Sequence, residues 1–151
     1  MSLAVLRSAI KAAIESVANV GLVHDYEPYL KTDAELRTFF QVSDAAAILG
    51  WTITRERTEE TDEFTEVDRD SHLMVIRGYA ALNGQAATEK AFQDTIEAVR
   101  ARLRQERVNR FGNLFDVHPP NVRTVEAREY VGKGVHYCEI TLACDEEVTV
   151  P

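Results

Sequence analysis

The chain has 151 residues, is 45% hydrophobic and 28% charged, and carries a net charge of −8, the make-up of one soluble globular domain with a core of its own rather than of a disordered chain. Residues 56 to 70 hold eight acids and two arginines, so the rest of the chain is nearly balanced. Sequence-independent nucleic-acid binding needs a basic surface whose cations displace counterions, and the chain does not advertise one.

The opening "MSLAVLRSAIKAAIESV" carries Arg7, Lys11 and Glu15 at helical spacing and does not read as a signal peptide. No apolar run approaches the ~20 residues of a membrane span. Cys138 and Cys144 fall within one apparent strand, where six residues span roughly 20 Å, too far for a disulfide. Two free thiols in a reducing compartment are expected, and a protein made in a cytoplasm that stays soluble there.

Leu3, Leu6, Ile10, Ile14 and Val17 recur every three or four residues and predict an amphipathic helix over 3 to 18. "NVGLV" reads as a break followed by a short extended piece, and "YEPYL" as irregular around Pro28. Thr32 and Glu35 form a capping box before Leu36, Phe39 and Phe40, which predicts a second helix. Trp51 and Ile53 then alternate with Thr52 and Thr54, the pattern of a strand with one wet face.

Residues 72 to 82 form a return strand that is apolar on both faces, with Leu73, Val75 and Tyr79 on one and Met74, Ile76 and Leu82 on the other. Between the two strands lies the acidic segment, read as a projecting hairpin arm over about 55 to 72. "NGQ" at 83 to 85 punctuates the chain. A long helix is expected from about Ala86 to Asn109, with Phe92, Ile96, Val99 and Leu103 as its core stripe and Gly112 ending it at positive φ. "NVRTVEAREY" and "VHYCEITLAC" flank "VGKG" and predict a second hairpin. The sum is a single α+β domain: two layers, an antiparallel sheet of two hairpins with helices on one face. The second apolar face of residues 72 to 82 would then require a partner, and a neighbouring subunit is the expected one.

Few residues advertise chemistry. Asp68, Asp70 and His72 alternate, so on a strand they offer three ligands to one divalent ion. Solvated charges at a strand entry account for them more simply, and no metal or cofactor is expected. His24 beside Asp25 and Glu27 has no second ligand cluster to join, and His118 before Pro119 reads as a loop residue. "GKGVH" lacks the spacing and the Lys-Ser/Thr of a phosphate loop. No serine or cysteine stands in a nucleophile context, so an enzyme is not expected.

Arg100, Arg104 and Arg107 lie at i, i+4 and i+7 and predict a basic ridge beside the core stripe. Cations near a helix C-terminus are routine. A ridge and an acidic arm on one chain also suit a closed ring, in which Glu59, Glu60 and Glu63 of one subunit meet the arginines of the next by a heterologous contact.

The order of an opening helix, "NVGLVHDYEPYL", "ILGWTITR", an acidic insert, "VIRGYAAL", one long helix and a closing hairpin resembles the tail terminator proteins of long-tailed bacteriophages across most of the chain. That resemblance implies a virion protein, without catalytic residues, that forms a ring, usually a hexamer, at the head-proximal end of the tail tube. Such a ring ends tube polymerisation and meets the head connector at the tail–neck junction, and DNA passes through it without specific binding. Assembly would take place in the host cytoplasm, with the major tail tube protein and the connector or neck proteins as partners. A head-completion protein docking on the connector is the alternative within virion assembly, and an oligomeric enzyme or ligand-binding domain the alternative outside it.

Overall fold

The computed structural model describes residues 2–42, 47–82, 88–130 and 133–150. Helix α1 (Ser2–Glu15) leads through left-handed Asn19 and Gly21 into the short strand β1 (Leu22–His24). Helix α2 (Asp33–Phe40) passes into β2 (Gln41–Val42), and β3 (Ala47–Phe64) and β4 (Val67–Ala81) form the first hairpin. Helix α3 (Thr88–Arg104), α4 (Glu106–Asn113) and β5 (Asp116–Val117) precede the second hairpin, β6 (Asn121–Tyr130) and β7 (Lys133–Thr149). The "NGQ" punctuation, the start of the long helix at Ala86 and the Val131–Gly132 turn lie outside the described residues.

Seven strands join in the order β1-β3-β4-β7-β5, with β2 on β3 and β6 on β7. β3 pairs antiparallel with β4 and β6 with β7, and β4 and β7 are themselves paired, so the four strands lie in one sheet. The sheet is mixed, however, because β1 runs parallel to β3. Only three residues long, β1 had no period from which its direction could be read.

The helices do not keep to one face, which corrects the sequence reading. Trp51, Ile53, Met74, Ile76, Ile140 and Leu142 share the face beneath α1 and the Phe92–Ile96–Val99–Leu103 stripe of α3, all of them buried. Tyr79, Val135 and Tyr137 point the other way and are covered by Leu36 and Phe40 of α2. The second face of β4 is thus closed by the chain itself, and Val75 upon it is fully buried. Its apolarity gives no reason to look for a neighbouring subunit there.

Thr52 is equally buried, against the expectation of a wet face. Its hydroxyl donates to Glu27, which also accepts from the Tyr79 hydroxyl at 2.9 Å, so a carboxylate from the loop after β1 roofs this part of the sheet. The capping box of α2 is half as read. Glu35 N–H donates to Thr32 Oγ1, but the Glu35 carboxylate accepts from the backbone of Lys31 rather than Thr32.

Trp51 anchors the main core. Its indole N–H donates to the Val20 carbonyl at 2.9 Å, and its ring lies over Gly78. A Cβ on Gly78 would stand 2.6 Å from Trp51 Cζ3 and 2.8 Å from Cys138 Sγ, so glycine is what permits the close approach. Cys138 and Cys144 are free and buried, and burial pushes both thiols up to about 12, which leaves them inert. Among the described residues no helix is long and apolar enough to cross a membrane.

The expected long helix breaks at Gln105, where an i→i+3 bond to Arg102 tightens the turn. Helix α4 then leaves the right-handed region: Arg110, Phe111, Gly112 and Asn113 all have positive φ. Gly112 takes the conformation expected of it, but three residues with side chains take it too, at a cost of roughly 1–2 kcal/mol each. The buried Glu106 carboxylate holds this turn, accepting from Phe111 N–H at 3.0 Å, from Arg102 at 2.9 Å and from Asn109 at 3.4 Å.

Candidate functional site: an acidic three-stranded arm

From Arg55 to Glu66 the first hairpin is exposed apart from the half-buried Thr58, and Thr65–Glu66 form its turn. The arm differs from the expected two-stranded hairpin in one respect. β7 continues alongside it, pairing Val67 with Thr149 and Asp70 with Glu146 in an unbroken register. The third strand brings Glu146 and Glu147 beside the arm's own acids, with Asp145 buried at its root. Sequence alone could not foresee this, because β4 and β7 are far apart along the chain.

Cross-strand register decides which charges meet. Glu60 lies opposite Asp70 on one side and Asp70 opposite Glu146 on the other, so three carboxylates stand in a row across three strands. Asp62 likewise faces Asp68. Directly opposed like charges destabilise a sheet. A hydrogen bond with Asp68, followed by the charges of Asp70 and Asp68, holds the Glu60 carboxyl above its ordinary value.

Basic side chains gather at the root. Arg69 reaches Asp116 at 2.7 Å and Asp145 at 3.2 Å, and Arg110 from the left-handed turn reaches Asp116 at 2.8 Å. The Arg69 hydrogen bond, joined by the charge of Arg110, holds the Asp116 carboxyl below its usual range. On the same face Arg123 bridges Glu56 and Glu139, each at 3.0 Å. Glu139 also accepts from the Tyr137 hydroxyl at 2.7 Å and pairs with Arg77 at 3.5 Å. Burial opposes ionisation of Glu139, yet these donors and cations outweigh it and hold its carboxyl below the ordinary value. Burial and Glu139 together push the Tyr137 hydroxyl up to about 12.

A pH dependence follows. Glu139 has a folded-state value below its unfolded one, so its contribution is whole above about pH 4.5 and is lost as pH falls through the lowered folded value. Glu139→Gln is expected to lower stability at neutral pH by about 2 kcal/mol, the scale of hydrogen bonds to a charged group. It should also flatten the fall in melting temperature below about pH 4.5. Thermal melts from neutral pH into acid test this, and an unchanged acid limb in the variant would place the sensitivity elsewhere.

The residues predicted to form an interface are placed as follows. Glu59, Glu60 and Glu63 are exposed on the arm, and Glu59 pairs with Arg57 at 3.3 Å. Arg100 pairs with Glu97 one turn back at 2.9 Å. Arg104 closes α3 and Arg107 belongs to α4, both exposed and without an ion pair among the described residues. Within one chain the arm's acids and these arginines are not brought together.

The scattered histidines take structural places. His24 stacks on Phe39 with ring centroids 3.6 Å apart, Asp25 offers its carbonyl to Arg7 at 3.0 Å, and His118 contacts Asp145 at 2.8 Å. His72 is different: it is 3% exposed at the base of the arm, beside Asp70 and Glu146. An open cleft of about 590 Å³ adjoins them, with Val5, Leu114, Phe115 and Val148 as its apolar wall. Compared with known protein families and with curated proteins, the chain matches none.

Proposed function

We propose that the chain is a structural subunit of the tail-terminator kind, one that assembles head to tail into a ring through its acidic arm. The observation that carries this reading is the arm itself: a paired, exposed extension whose acids exceed the cations within its reach. The exposed Arg104 and Arg107 supply cations of the sign the arm lacks, and a heterologous contact would join the two surfaces. The order of elements that resembles the tail terminators supports the same assignment. In this reading the ring sits at the tail–neck junction of a virion, ends tube polymerisation and joins the tail to the head connector. DNA passes through a channel that does not bind it.

Light scattering on the purified chain, with and without tail tube protein, is expected to give a multiple of the 17.0 kDa subunit, about six-fold for a closed ring. Reversing Glu59, Glu60 and Glu63 to lysine should dissociate the ring and leave the circular dichroism spectrum intact. Reversing Arg100, Arg104 and Arg107 to glutamate in the same chain should restore part of the assembly, and the defect should depend on salt. A strictly monomeric chain under both conditions would overturn the ring. A ring indifferent to the reversals would overturn the arm as its contact.

A further inference from the structure

We propose that Asp70, His72 and Glu146 form a binding site for a divalent transition ion of the zinc class. The three side chains offer one carboxylate oxygen, one imidazole nitrogen and one carboxylate oxygen within 4.8 Å of one another. His72 Nε2 and Glu146 Oε1 are 3.3 Å apart, close to the edge of a tetrahedron built on bonds of about 2.1 Å. The third ligand atom lies within 4.8 Å of the other two, and the adjoining cleft of about 590 Å³ has room for coordinated water.

The surroundings orient the imidazole for this purpose. His72 Nδ1 lies 2.8 Å from Thr58 Oγ1 on the neighbouring strand. With Nδ1–H donated to that hydroxyl, the Nε2 lone pair faces the two carboxylates, the arrangement in which a contact behind the ring fixes the ligating tautomer. The same tautomer sets a lone pair against the Glu146 carboxylate unless a cation stands between them.

An independent observation points to a ligand. Asp70 Oδ1 is buried and has no hydrogen-bond partner among the described residues, a costly state for a carboxylate oxygen. Glu60 and Glu146 stand directly opposite Asp70 on the flanking strands. A bound cation satisfies that oxygen and relieves the row of like charges at once. The imidazole selects ions that accept nitrogen over those confined to oxygen cages. An ion held by β4 and β7 would fasten the two strands together where the arm leaves the body, whatever the arm contacts.

The test uses the full chain after removal of metal with a chelator. Cobalt(II) titration followed by visible absorption, and zinc titration against a competing indicator, are expected to show a single saturable equivalent. Asp70→Asn and Glu146→Gln, nearly isosteric, should each weaken it by about tenfold or more. Glu59→Gln and Glu63→Gln, on the same arm but away from the cluster, should leave it unchanged. Nitrogen-15 spectra of the unmutated protein should show the His72 Nε2 resonance move on zinc addition, a readout that needs no variant to fold. An absence of saturable binding below millimolar concentration would overturn the site. So would equal weakening by all four variants together with strong salt dependence, because that describes a diffuse ion atmosphere. Either result can be read without reference to ring assembly.

Discussion

Trp51→Ala is expected to cost about 3–5 kcal/mol, the range for truncating a large buried aromatic residue. Trp51 is fully buried, its ring rests on Gly78, and Phe92 of α3 packs on it with centroids 6.1 Å apart. Backbone on both sides limits how far the site can collapse: Gly78 belongs to the central strand β4, and the Val20 carbonyl accepts the indole N–H. For a chain of this length the loss corresponds to a fall of roughly 6–20 °C in melting temperature. Trp51→Phe keeps a ring and forfeits the hydrogen bond, so it should lose much less. Urea unfolding must be followed by circular dichroism, since Trp51 is the only tryptophan and the substitution removes the fluorescent probe. A change within about 0.5 kcal/mol for Trp51→Ala, the level of an ordinary surface substitution, would contradict the packing described.

Glu106→Ala should cost about 3 kcal/mol, near the lower end for a broken buried ion pair, because Arg102 keeps some contact with water. The carboxylate also accepts from Phe111 N–H, so its removal strands a buried donor in a turn whose left-handed conformation is already unfavourable. That turn places Arg110 against Asp116, and Asp116 against Arg69 at the root of the arm. Glu106→Gln retains an oxygen for Phe111 but cannot serve Arg102 as a carboxylate does, and about half the loss is expected. Amide exchange at Phe111 should accelerate strongly in the alanine variant and modestly in the glutamine one. Unchanged protection at Phe111 in both would show that the turn holds itself.

Sequence periodicity carried much of the body. The α3 stripe, the alternation of Trp51 with Ile53 and the opening helix all reached the core, because burial on one face imposes a period that survives in the residue order. What it could not carry was the pairing of distant pieces. Thr52 looked solvent-facing because its roof, Glu27, stands 25 positions away. The face covered by α2 looked vacant because nothing in "ELRTFF" says which side of a sheet it will meet. Glu106 stands among five arginines and reads as one more surface charge, yet only its position beneath the left-handed turn makes it structural. At the candidate metal site, Asp70 and His72 were visible as an alternating pair on a strand. Glu146 joined them through the β4–β7 register, while Asp68, the third member of the sequence pattern, belongs to the row facing Asp62.

The shared register of β4 and β7 also has a mechanical meaning. β4 has 15 residues and β7 has 17, so each runs about 50 Å from the end of the arm to beneath α3 without a break in their pairing. A pull along one of these strands against the other would therefore load the rungs between them together, in shear, rather than one after another. β3 is built differently, with irregularities between Arg55 and Arg57 and between Asp62 and Phe64. The irregular rungs thus fall on the outer strand, while the other two carry one register from the end of the arm to Met74, Ile76, Ile140 and Leu142, against which α1 and α3 are seated.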